Sequence, residues 1–97
     1  MSDVISGAVK KLEEKLGGSF DGSARFDIDG EGSILVDNDG VRESDAEAEA
    51  EVVLTADTAT FREMMEGDLD PTAAFMGGRL KIDGDMGQAM KLGTALS

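Results

Sequence analysis

The chain has no cysteine and no histidine. Without cysteine there is no disulfide, no thiolate chemistry and no cysteine-zinc framework. Without histidine as well, the usual nucleophile-and-base pairs of hydrolases cannot be assembled, and catalysis would have to run on carboxylates, lysines or hydroxyls. The composition therefore weighs against an enzyme, and no cofactor is expected. Positive charge is also scarce: nine Lys and Arg face 21 Asp and Glu, for a net charge of −12. Such a chain repels phosphate backbones and anionic lipid, which argues against nucleic acid as a partner and leaves membrane contact at most transient. Long apolar runs are missing too. No segment approaches the ~20 apolar residues of a membrane span, and the first residues, MSDVISGAVKKLEEKLGG, contain no uninterrupted apolar h-region. The terminal TALS is not a peroxisomal address of the SKL type. The chain reads as soluble and cytoplasmic.

What is present suits one compact domain over residues 1–97, since a chain of this length buries roughly 60 to 70% of its unfolded surface. From Ser2 to Leu16, Val4, Ile5, Ala8, Val9, Leu12 and Leu16 recur at three- and four-residue spacing, and Gly17 and Gly18 follow. That is an amphipathic helix with a stop signal. The period then changes to two, with Ala24, Phe26 and Ile28 alternating with charged residues and Ile34, Leu35 and Val36 forming a short apolar run. Two strands joined by a tight turn are expected. A third alternation sets Ala46, Ala48, Ala50, Val52 and Leu54 against Glu47, Glu49 and Glu51. Helix propensity and strand pattern conflict there, and a strand is expected at least from Glu49 onward.

The second half turns helical at Asp57, a good N-cap, with Phe61, Met64 and Met65 on one side and Gly67 as the close. Asp70-Pro71 restarts a short helix, because proline at the first helical position gives up only an N–H that has no intrahelical partner. RLKID brings back period two through Leu80 and Ile82, and Asp85 with Gln88 three residues on resembles a capping box for a final helix carrying Met86, Ala89 and Met90.

The stretch DIDGEGSILVDNDG, Asp27 to Gly40, begins like a calcium-binding EF-hand loop: Asp27, Asp29 and Glu31 stand at ligand positions and Gly32 at the sharp turn. The twelfth position, however, is Asn38, which cannot supply the bidentate carboxylate, and both flanks are strand-like where an EF-hand needs helices. A hairpin turn is the better reading, and no metal is expected. GEGS lacks the third glycine of a nucleotide fingerprint. The acidic run from Glu43 to Glu51 reads as a solvated face.

The block DPTAAFMGGRLKIDGDMGQAMKL, Asp70 to Leu92, resembles the sterol carrier protein 2 family. The shared features are Asp70-Pro71, Ala74-Phe75, Gly78-Arg79-Leu80-Lys81-Ile82, Gly84, Met86 and Ala89-Met90-Lys91-Leu92. Upstream, KKLEEKLGGSF, GEGSILV and TADTATFREMMEGDLDP fit the same register, so the similarity covers roughly residues 9 to 96. The resemblance implies an α/β (α+β) fold: about five mostly antiparallel strands in a curved sheet, helices packed on one side and an apolar cavity between. It also implies a non-enzymatic lipid-binding or lipid-transfer domain that holds a fatty acid, fatty acyl-CoA, phospholipid, sterol or isoprenoid. The alternative is a structural accessory module with a filled core, of the kind found in ubiquinone biosynthesis. The absence of tryptophan, of a peroxisomal signal and of a longer loop at Asp21, Gly22 and Ser23 turns expectation from sterol toward a long acyl or isoprenoid ligand.

Five of the six methionines fall at or after Met64, and flexible thioethers adapt to ligands of varied shape. The expected cavity lining is Phe26, Ile28, Leu35, Val52 and Leu54 from the strands, and Phe61, Met64 and Met65 from the helix after Asp57. Phe75, Met76, Leu80, Ile82, Met86 and Met90 complete it from the block that carries the resemblance. A lipid or other long hydrophobic molecule is the expected partner, and a protein partner is left open.

Overall fold

A computed structural model describes residues 3–18, 20–45 and 47–96. Its first helix, α1 (Asp3–Leu16), buries Ile5, Ala8 and Leu12 at the spacing the sequence predicts, with Val9 and Leu16 partly buried beside them. It stops where expected: Gly17 takes a positive φ, and the Gly18 N–H reaches back 3.0 Å to the Glu13 carbonyl. Ser2 and Ala46 lie outside the described residues.

Five strands follow in the spatial order β3-β2-β1-β4-β5. β1 (Ser23–Ile28) and β2 (Gly32–Asp37) form an antiparallel hairpin with Phe26 opposite Ile34. β3 (Gly40–Ser44) continues antiparallel beyond β2, β4 (Val52–Ala56) runs parallel to β1, and β5 (Leu80–Gly84) runs antiparallel to β4. The sheet is therefore mostly antiparallel, as the resemblance implies.

Two expectations need correction. The chain from Glu47 to Glu51 is not a strand; the ladder begins at Val52. The irregular segment instead lies against the outer face of the sheet as a strap, tied by the Arg25 guanidinium to the Ala48 carbonyl (2.8 Å) and by the Glu51 N–H to the Ser23 hydroxyl (2.9 Å). Alternation of Ala and Glu gives a strand-like pattern even where the backbone is irregular and its hydrogen bonds go to side chains. The strand absent from the residue-level reading is β3, whose five residues include one large apolar side chain, Val41. It is held by its ladder and by Arg42, which forks onto both carboxylate oxygens of Asp37 at 3.1 and 2.7 Å.

Period two decides which face meets the helices. Ala24, Phe26 and Ile28 of β1, Ile34 and Val36 of β2, and Val52, Leu54 and Ala56 of β4 are all buried, while the residues between them on β1 and β4 are only half-buried. On the helical side α1 packs over β2 and β3, and α4 (Met86–Leu96) packs over β1, β4 and β5. α2 (Thr58–Met65) and α3 (Pro71–Met76) connect β4 to β5. Both start as expected: Asp57 Oδ1 accepts from the Thr60 N–H at 2.7 Å, and Asp70 Oδ1 accepts from the Thr72 N–H at 3.0 Å with Pro71 in the first turn. At α4 the box is only half built. Asp85 Oδ1 takes the Gly87 and Gln88 N–H groups at 2.8 and 3.3 Å, but the buried Gln88 Oε1 has no partner and lies where a Cβ on Gly22 would stand.

Candidate apolar cleft between α3, α4 and the sheet edge

The calcium-like stretch resolves first. Asp27 sits on the outer face of β1, where Arg25 forks onto its two oxygens at 2.8 and 2.9 Å and the Ser33 hydroxyl donates to Oδ1 at 2.8 Å. Its carboxylate is taken up by the sheet, and Asp29 and Gly30 make the turn of the hairpin. Among the described residues no group of three or more acids is placed to hold a metal ion.

Three hollows stand out among the described residues. The widest, about 610 Å³, lies under the strap between Arg25, Val53 and Glu47–Glu51, and it is broad, open and acidic. The second, about 410 Å³, runs between α1 and α2 past Val4, Ala8, Phe61 and Met65, with Lys11, Arg62 and Glu66 beside them. The third, about 290 Å³, is the most enclosed and lies between α3, α4 and the β4–β5 edge. Size alone would favour the first, but an apolar ligand is held by apolar area, and the first is lined largely by glutamates and open to water.

The third cleft gathers Leu54 from β4, Leu80 and Ile82 from β5, Phe75 and Met76 from α3, and Met86 and Met90 from α4. These are seven of the fourteen residues expected from sequence. Pro71, Thr72, Ala89 and Gly93 complete the lining and were not foreseen. A signal for the last two was available, because Met86, Ala89, Met90 and Gly93 form a three-and-four stripe along α4. α4 passes close to α3 here: a Cβ on Gly93 would meet the Pro71 side chain at 3.8 Å, an ordinary van der Waals contact.

The remaining expected residues are elsewhere. Phe26, Ile28, Val52 and Met64 are packed into the core, with Phe26 edge-on to Phe61 at 5.6 Å. Phe61 and Met65 line the α1/α2 groove. Leu35 is a correction: between buried Ile34 and Val36, it points to the outer face opposite Arg25 and Arg42, so it cannot line a cavity on the helical side.

Charge around the third cleft is confined to its surroundings. Arg79, just before β5, pairs with Glu63, and Lys91, just after Met90, pairs with Asp21 at 2.9 Å. The Arg79 guanidinium is pushed up by the Glu63 hydrogen bond, and the Asp57 carboxyl is held below its usual range chiefly by the Thr60 N–H. The lining itself contains no Asp, Glu, Lys or Arg. Among the described residues, the four large apolar side chains that stay exposed, Phe75 at 40%, Met76 at 81%, Met86 at 45% and Met90 at 59%, all belong to this one lining.

The family model for the SCP-2 sterol transfer family matches residues 6–97. The chain belongs to that family. Hydroxysteroid dehydrogenase-like protein 2 of Xenopus laevis is 34% identical over 98 residues, covering 95% of this chain and 24% of the relative. Human sterol carrier protein 2 is 36% identical over 102 residues, covering 86% of this chain and 17% of the relative. The chain thus spans about a quarter or less of the length of these curated relatives. Among solved structures, sterol carrier protein 2 of Aedes aegypti in complex with the C16 fatty acid palmitate superposes with a TM-score of 0.76 at 19% identity, covering 100% of this chain and 97% of that one. The SCP-2 fold is thereby established, and family and fold together mark a sterol- or lipid-binding or transfer domain.

Proposed function

We propose that the chain folds as one non-catalytic unit over its 97 residues and holds a single long hydrophobic molecule in the cleft between α3, α4 and β5. The observation that carries the reading is convergence: every large apolar side chain left exposed among the described residues points into or rims one charge-free cleft. Each methylene moved from water into such a site contributes about 0.8 kcal/mol before ordering costs. A dozen carbons are enough for useful affinity without a single ion pair. At about 290 Å³ the cleft lies at the small end of ligand sites, which run from roughly 300 to 1,000 Å³. Met76 and Met90, mostly exposed, can swing over the portion of a longer chain that projects from it. The mosquito relative solved with palmitate lends the reading an analogue. No helix among the described residues is long and apolar enough to cross a membrane, so any exchange with a bilayer would be made from the water side.

A second reading has its own observation. The interior between sheet and helices is filled by Phe26, Ile28, Val52 and Met64 instead of being hollow, as suits a structural module that docks through a sheet edge. Native mass spectrometry after delipidation and re-exposure to C12–C18 lipids separates the two. The carrier reading expects one bound lipid per chain at micromolar concentration; no adduct at any chain length leaves the structural module.

A further inference from the structure

Resting on the reading of the α3/α4 cleft as the lipid site, the geometry points to a charge selection at that site: it takes an uncharged lipid in preference to the anionic lipid of the same chain length. The eleven residues of the lining offer a ligand head only the Thr72 hydroxyl and backbone groups. A carboxylate or phosphate entering it gives up water with no cation to replace that water, whereas an alcohol, ketone or hydrocarbon gives up far less.

Carrying the head out to the rim does not rescue an anion. Asp70 opens α3 and Asp85 opens α4, so each of the two helices that wall the cleft begins with an acid, while Asp83 follows Ile82 on β5 and is turned by the pleat to the opposite face. The cations nearby are committed or turned away. Lys91 is bonded to the Asp21 carboxylate and to its carbonyl, both at 2.9 Å, and Arg79 is bonded to Glu63. Lys81 stands between Leu80 and Ile82 on β5, so the pleat sends it to the opposite face. The net charge of −12 adds a repulsive field that salt screens only partly. The α1/α2 groove shows the contrast within the same molecule. Lys11 and Arg62, which make no ion pair among the described residues, lie along it, so binding must be read at the cleft itself.

The chain has no tryptophan or tyrosine, so Phe75→Trp places one reporter indole in the lining. Titrated at neutral pH and moderate salt with 1-dodecanol and with dodecanoate, this variant is expected to bind the alcohol at least about tenfold more tightly, the deficit of the acid being the lost hydration of its carboxylate. Adding Met86→Lys, at a position already half exposed, should bring dodecanoate up to or past the alcohol. Equal or tighter binding of dodecanoate without the lysine, or no gain with it, would overturn the selection while leaving the lipid site standing. Silence of the indole toward both ligands would overturn the selection and the site together.

Discussion

At the scale of single residues, Gly84 bears on how the cleft is framed and Asp57 on the helix that precedes it. Gly84 ends β5 with a φ of 111°, and a Cβ there would overlap the Glu51 carbonyl oxygen, which also accepts the Asp85 N–H at 2.9 Å. That close approach seats the start of α4 against β4. Gly84→Ala should cost more than about 2 kcal/mol, adding backbone strain to the overlap, and lower the melting temperature by about 10 °C or more; calorimetry checks this. Asp57 caps α2, and the Thr60 N–H holds its carboxyl below the ordinary range. A depressed carboxyl contributes stability that is fully present above the unfolded value near 3.9 and is lost as the pH falls through the folded one. Asp57→Asn, which keeps an acceptor and removes the charge, should therefore be less stable than the parent at pH 7, with the gap shrinking as the pH falls below about 4. The exposure of Asp57 keeps the gap small, and urea midpoints across that range would measure it.

Elements differ in how much of themselves they display in the sequence, and the difference is physical. α1, α2 and α3 were legible because each carries both a periodic apolar face and a stop or start that the backbone demands: Gly17 and Gly18, Asp57, Asp70-Pro71. β3 was not, because an edge strand held by one ladder and by the Arg42–Asp37 pair needs little apolar signal of its own. The Glu47–Glu51 strap was misread for the opposite reason: it shows a strand's pattern but hydrogen-bonds to the side chains of Arg25 and Ser23. The strap thus depends on Arg25, whose guanidinium is also locked to Asp27 and pushed up by that hydrogen bond. Arg25→Ala should release it, and a glutamate-specific protease should then cut after Glu47, Glu49 or Glu51 several times faster. The rest of the chain should stay resistant, as mass mapping of the fragments would record.

Across the whole molecule, half of the residues put forward from the sequence meet in the α3/α4 cleft. The block from Asp70 to Leu92 supplied the two helices and the strand that enclose the cleft, and its methionines proved to be the exposed ones. The strand-borne candidates divided according to which way each pleat faced, a matter that only the pairing of β1, β2 and β4 settles. Phe26, Ile28 and Val52 turned inward to fill the core, Leu35 turned outward, and Leu54 alone of that group reached the cleft. The six methionines are spread across these environments: Met76, Met86 and Met90 in the cleft, Met65 in the α1/α2 groove, Met64 in the core, and Met1 outside the described residues. The most direct test of the account is therefore the methionine ε-methyl NMR spectrum of delipidated protein titrated with 1-dodecanol. The account predicts saturable shifts at Met76, Met86 and Met90 with Met64 and Met65 still; shifts confined to Met65, or none at all, would contradict it.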